Sequence, residues 1–240
     1  IPSKGNGKIL TSDANGVATW QSSGGSSSWL LTGNADTSPD NFIGTTDRDT
    51  LEFRVNGVRS GWIDNVMGNY SIGYNAQRNG IGNVSIGQGV LQNNATGENN
   101  VGIGLGSLTS MDGSQNIGIG FQSDVSEGKG NSISIGYRAV CTQSSSVAIG
   151  SQSYCNQSNS VILGSISGVN GADESSRVGI GTSSPSAPLH VDGGVRFSGI
   201  SEANGYVLTS DANGNGTWQP SGGGGGGWGL SGNAITSGDF

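Results

Sequence analysis

NVSIGQGVLQNNATGENNVGIGLGSL, residues 83–108, states one phrase twice: Asn-Val-Ser-Ile-Gly and, after a polar gap, Asn-Val-Gly-Ile-Gly. The phrase recurs on Gly73, Gly87, Gly104, Gly120, Gly136, Gly150 and Gly164, at spacings of 14, 17, 16, 16, 14 and 14 residues, and Gly181 closes an eighth copy. A short unit repeated in this way points to a solenoid, in which each unit buries its apolar side by stacking on the next. Aligned on the glycine, the residue before it is Ile72, Ile86, Ile103, Ile119, Ile135, Ile149 or Leu163, and three before it stands Tyr70, Val84, Val101, Ile117, Ile133, Val147 or Val161. Side chains alternate along a strand, so these two columns share a face and the residue between them, mostly Ser, Gly or Ala, faces away.

The reading that follows is one short strand per coil, with the column from Ile72 to Leu163 as the structural core and the glycine supplying a positive-φ bend. Four residues before the glycine, Asn69, Asn83, Asn100 and Asn116 give way to Ser132, Ser146 and Ser160, a polar ladder at each corner. Two apolar residues per coil bury little by themselves. Each chain alone exposes the Ile and Val columns, and three chains, each giving one wall, close a shared core. The expected fold is therefore all-β: a homotrimeric parallel β-solenoid, flanked by small β-rich connectors, in an elongated fibre.

Composition agrees with a fibre and excludes other classes. Of 240 residues 46 are glycine, only 32% are hydrophobic and 11% charged, a poor recipe for a compact globular core. The net charge of -7 and ten scattered basic residues offer no stripe to neutralise phosphates, so nucleic acid is not an expected partner. No apolar run reaches the roughly 18 residues that cross a bilayer, and no membrane insertion is expected within this segment.

The series NYSIGYNA, NVSIGQGV, NVGIGLGS, NIGIGFQS, SISIGYRA and SVAIGSQS resembles the head repeats of trimeric autotransporter adhesins over residues 66–170. That resemblance implies a left-handed parallel β-roll, an obligate homotrimer, and binding of matrix proteins or host cells. A longer repeat surrounds it. KILTSDANGVATWQ (8–21) returns as YVLTSDANGNGTWQ (206–219), 198 residues later, and SSGGSSSWLLTGNADTSPDNF (22–42) returns as PSGGGGGGWGLSGNAITSGDF (220–240). With NFIGTTDRDTLEFRVNGVRSGWI (41–63) and VGIGTSSPSAPLHVDGGVRFSG (178–199), these segments are similar to fibre proteins of Bacteroidota and of their phages or contractile injection systems. The chain reads as an excerpt, one period plus an overlap, of a longer repeating polypeptide.

The expected organisation is a β connector with a Gly/Ser linker at 1–28, a β-hairpin connector at 29–65 turning at Asn-Gly, the β-roll at 66–170, a β connector at 171–199, a second connector and glycine linker at 200–227, and the start of the next module at 228–240. Recurring Trp20 and Trp218, and Trp29 and Trp228, argue for architecture over a unique site.

Little in the sequence suggests chemistry. Cys141 and Cys155, each five residues after its glycine, are either small buried residues or a disulfide between successive coils. Asp211–Gly216 matches the first half of a calcium loop, but the twelfth position is Gly222, so a plain turn is expected. His190, the sole histidine, has no nucleophile motif pointing to it. Glu98, Asp112, Asp124 and Glu127 form no repeated acid pair for glycan cleavage. No catalytic residue, metal or cofactor is expected. The functional expectation is an adhesive extracellular or cell-surface fibre whose partners are its own copies and a surface glycan or protein. The alternative is a receptor-binding tail fibre of a phage or injection system.

Overall fold

The computed structural model describes residues 8–22, 42–77, 79–110, 112–198 and 203–221. The linkers at Gly24–Ser28 and Gly222–Gly227, Trp29, Trp228 and the segment 228–240 lie outside the described residues. The chain divides into two units, Ile1–Ser175 and Ser176–Phe240. Every regular element among the described residues is a strand, and the chain is all-β with a β-solenoid at its centre.

In chain order the strands are β1 (Lys8–Ser12), β2 (Ala18–Ser22), β3 (Leu51–Val55), β4 (Val58–Asp64), β5 (Asn69–Ile72), β6 (Val84–Ile86), β7 (Val101–Ile103), β8 (Ile117–Ile119), β9 (Asp124–Val125), β10 (Ile133–Ile135), β11 (Val140–Cys141), β12 (Val147–Ile149), β13 (Tyr154–Cys155), β14 (Val161–Leu163), β15 (Val178–Ile180), β16 (Leu189–Val191), β17 (Tyr206–Ser210) and β18 (Gly216–Pro220).

The repeated phrase forms β5, β6, β7, β8, β10, β12 and β14, parallel and in register, so each Ile before a glycine stands beside the next: Ile72, Ile86, Ile103, Ile119, Ile135, Ile149, Leu163. The hairpin β3–β4, turning at Asn56 and Gly57, adds to the end of this sheet with β4 antiparallel to β5, making nine strands in all. The hairpin is thus continuous with the solenoid's sheet. A second wall of each later coil pairs β9, β11 and β13 in parallel.

Three left-handed backbone positions turn the coils, the third of them in the first six. The repeat glycine has φ between 90° and 141° in all seven copies. A Cβ on Gly104 would lie 2.5 Å from the carbonyl oxygen of Gly120 and 2.7 Å from its carbon, so both the dihedral and the stacking require glycine there. The other two positions are five before the glycine (Gly68, Gly82, Asn99, Gln115, Asn131, Ser145, Asn159) and two after it (Asn75, Gly89, Gly106, Gln122, Arg138, Gln152). Asn tolerates this region well and Gly costs least, which accounts for eight of these thirteen residues.

The expected corner ladder is present, and it runs from side chain to backbone. Oδ1 of Asn69 accepts from Asn83 N at 2.8 Å, Asn83 from Asn100 N at 2.9 Å, Asn100 from Asn116 N at 3.0 Å and Asn116 from Ser132 N at 2.9 Å. The amide nitrogens donate to Gly80, Gly97, Gly113 and Lys129 carbonyls at 2.9 to 3.0 Å. Each buried amide thus satisfies a backbone donor and a backbone acceptor, as burial of polar groups demands.

One expectation is corrected here. A chain does not contribute a single wall to a shared core; each coil closes on itself. Over the first six coils the middle column (Ser71, Ser85, Gly102, Gly118, Ser134, Ala148) points into the coil, and its non-glycine members are at most 2% exposed; in the seventh, Ile162 is half-buried and packs against the core. Opposite it lie Val90, Leu91, Leu108, Val125, Cys141 and Cys155, all fully buried. The lumen is narrow, so large faces small. A Cβ on Gly118 would sit 2.6 Å from Leu108 Cγ, and one on Gly102 would collide with Val90 Cγ1. Where the column carries Ser71 and Ser85, the hydroxyls bond each other at 2.6 Å.

The second unit has its own strands. The eighth copy of the phrase forms β15, which pairs in parallel with β16 and is not a strand of the nine-stranded sheet. Val178 N donates to Pro188 O and Asp192 N to Ile180 O, both at 2.8 Å, reproducing the bonds that Val147 N and Gly164 N make in the solenoid. The hairpins β1–β2 and β17–β18 have equivalent registers, with Leu10 opposite Trp20 and Leu208 opposite Trp218.

Candidate association face

Pointing the small column inward sends its neighbours outward. The column Ile72, Ile86, Ile103, Ile119, Ile135, Ile149 and Leu163 lies on the outside of the coils and outside the core of the single chain, from 60% exposed at Ile72 through 36% at Ile103 to 53% at Leu163. The column from Tyr70 to Val161 flanks it, half-buried except at its two ends. The residue just past the glycine bend is Tyr74, Gln88, Leu105, Phe121, Tyr137, Ser151 or Ser165. Phe121 and Tyr137 stack with ring centroids 5.4 Å apart and planes 10° from parallel.

The Ile column and the Val column beside it, two residues apart on each strand, make an apolar stripe without a charged residue. Seven strands at about 4.8 Å and two residue steps at about 3.3 Å give roughly 29 by 7 Å in plan before side-chain relief. Scattered apolar residues need no explanation, but a continuous ladder of one residue type does.

The candidate chemical groups are accounted for by local structure. Cys141 and Cys155 are free, buried and in register on β11 and β13. Parallel strands in register hold their Cβ atoms a strand spacing apart, about 4.8 Å, beyond the 3.5–4.5 Å usual in a disulfide. The Cys141 thiol donates to Ile133 O at 3.3 Å, and burial pushes its pKa up. Val125 shares their column, in register with Cys141 and fully buried.

Asp211 spends its carboxylate on its own turn, accepting from Asn213 N and Asn215 N at 2.8 Å, and Asp13 does the same with Asn15 N and Val17 N at 2.9 Å. Asp112 accepts from Ala95 N at 2.7 Å and Asp124 from Val125 N at 2.9 Å. His190 Nδ1 accepts from Ser186 N at 3.2 Å. Among the described residues no group of three metal-ligating side chains converges, and no helix is long and apolar enough to cross a membrane.

Comparison with known protein families, curated proteins and solved structures finds no match to this chain.

Proposed function

We propose that the chain is a structural repeat module of an extracellular homotrimeric fibre that serves adhesion or surface attachment and carries out no catalysis. The observation that carries this reading is the uncharged ladder from Ile72 to Leu163, left outside the coil by a chain that has already closed its own core. A ladder of this kind is covered most completely by other copies of itself. Hydrogen-bonded ladders along the axis and a shared apolar seam across it make a stable rod from a glycine-rich sequence. The repeat phrase supports kinship with trimeric autotransporter adhesin heads, with a left-handed roll and a glycan or protein as ligand. The second reading, a phage or injection-system tail fibre, is favoured by the segments 178–199 and 206–219 and by their resemblance to such fibres.

Light scattering on residues 1–240 tests the association. The expected mass is three times the 24.1 kDa of the chain. A single-chain mass at micromolar concentration refutes the shared seam.

A further inference from the structure

The residue after the repeat glycine is large on three consecutive coils and small on the two that follow: Leu105, Phe121 and Tyr137, then Ser151 and Ser165. Phe121 covers one face of the Tyr137 ring, with centroids 5.4 Å apart and planes 10° from parallel. The coils stack in register, and Gln152 N donates to Tyr137 O at 2.7 Å, so the opposite face of the ring looks toward the sixth coil. There the column drops to Ser151, whose backbone nitrogen lies 3.1 Å from where a Cβ on Gly136 would stand. Tyr137 is 49% exposed and Ser151 is exposed as well, so the step between them is open. We infer that this step binds one pyranose ring of an acidic glycan, a uronic acid, which rests on the adhesive reading above and gives it a place on the chain.

Polar groups border the step. Arg138, next in the chain after Tyr137, is exposed, and among the described residues its guanidinium enters no ion pair or hydrogen bond. The loop after β14 folds back toward the fifth and sixth coils, where Asn170 Nδ2 donates to Arg138 O at 2.6 Å and Gln152 Nε2 donates to Gly171 O. Those bonds pin a wall beside Arg138 and leave Gln152 Oε1 able to accept. A pyranose presents an apolar face of C–H bonds and a rim of hydroxyls, which suits a bare aromatic face with donors and acceptors at its edge. A carboxylate on that rim matches the guanidinium fork of Arg138 and bonds it with charge assistance. In a chain of net charge -7, a guanidinium without a carboxylate partner marks where an anion can approach.

The test is fluorine NMR of the full chain labelled with fluorotyrosine, in which the five tyrosines give separate signals and Tyr137 is assigned by its loss in Tyr137→Phe. Trigalacturonate at millimolar concentration is expected to shift the Tyr137 signal saturably and to leave the other four in place. Maltotriose, neutral and of the same length, is expected to bind at least about tenfold more weakly, and Arg138→Gln to remove that difference. Gln122 and Gln152 hold the equivalent left-handed position, so the bend accepts this replacement. Ser151→Tyr continues the ring stack over the free face and is expected to abolish the shift with the particle mass unchanged. No Tyr137 shift with trigalacturonate, or a shift that survives Ser151→Tyr, overturns the site; equal affinities for the two sugars overturn its acidic specificity. The step lies within one chain, so light scattering on the same samples separates the two readings. A trimer without the shift overturns the sugar site alone, and a single chain that keeps the shift overturns the association alone.

Discussion

Gly104→Ala separates the two reasons for glycine at the bend. At φ +120° an L-residue carries backbone strain of about 1–3 kcal/mol. Its Cβ would also meet the carbonyl oxygen of Gly120 at 2.5 Å and the carbon at 2.7 Å. Those atoms belong to backbone held by the ladder, since Gly120 N donates to Ile103 O at 2.8 Å, and overpacking of this kind costs a further ~1–3 kcal/mol. The reduced freedom of the unfolded chain returns only about 0.4–1 kcal/mol. The net loss is about 3 kcal/mol.

Gly128→Ala is the matched control. Gly128 also has a positive φ, +69°, but a Cβ there meets nothing within 4 Å, so only the ~1–2 kcal/mol of left-handed strain applies. Urea unfolding of both variants, in an Ile103→Asp/Ile119→Asp background so that association does not contribute, compares midpoints at unchanged slope. The expected gap between the two is about 2 kcal/mol. Equal losses, within about 0.5 kcal/mol, would show that stacking does not demand glycine and refute the close-packed bend.

Ile103→Asp with Ile119→Asp reduces the particle to a single chain by light scattering while the β circular-dichroism signal persists, because both side chains lie outside the coil's own core; retained trimers refute the seam. Asn100→Ala leaves Asn116 N and Gly113 O without partners in a buried corner and lowers unfolding free energy by about 2–5 kcal/mol in urea titration. Asp124 is pushed up from the usual carboxylate range by burial, against hydrogen bonds from Ser110, Val125 and Thr109. Its folded state therefore favours the proton, so its contribution is present below the ordinary Asp range and is lost as pH rises through the raised value. Asp124→Asn is expected to stabilise at pH 7 and to match the parent at pH 3 in thermal melts. Cys141 and Cys155 are expected to react with a thiol reagent only when urea opens the coil, at two thiols per chain; no reaction after unfolding without reductant shows a bridge.

The strand, its period and the glycine bend were legible in the sequence because each leaves a mark at a fixed place in every copy. The Asn69-to-Asn116 ladder was legible for the same reason. What misled was counting only the two apolar columns of the phrase, which left the single coil without a core of its own. The coil is narrow: the residue between Val101 and Ile103, or between Ile117 and Ile119, must be glycine to clear Val90 or Leu108. A restricted column of Ser, Gly and Ala was therefore the inward signal. The opposing Val90, Leu91 and Leu108 were harder to place, since they stand three or four residues after their glycines whereas Val125, Cys141 and Cys155 stand five after theirs. The eighth phrase at Val178 carries the local pattern, yet its partner β16 follows 11 residues on, a choice the pentapeptide does not encode.

The two faces of the strand divide the work between them. Small inward residues let a 14-to-17-residue coil close around an interior of its own. With the interior filled from the opposite wall, the outward column is released from packing its own coil, and a ladder of Ile maintained there has no role in the single chain beyond strand propensity. If propensity were its whole purpose, Thr would serve equally and keep the surface soluble. Replacing Ile86, Ile103, Ile119, Ile135 and Ile149 together by Thr therefore decides between the two. The melting temperature of the coil, measured in dilute solution, stays within a few degrees if the column serves association alone, and the particle mass falls to one chain. A collapse of the β signal on the same replacement would show that the outer column holds the coil itself together.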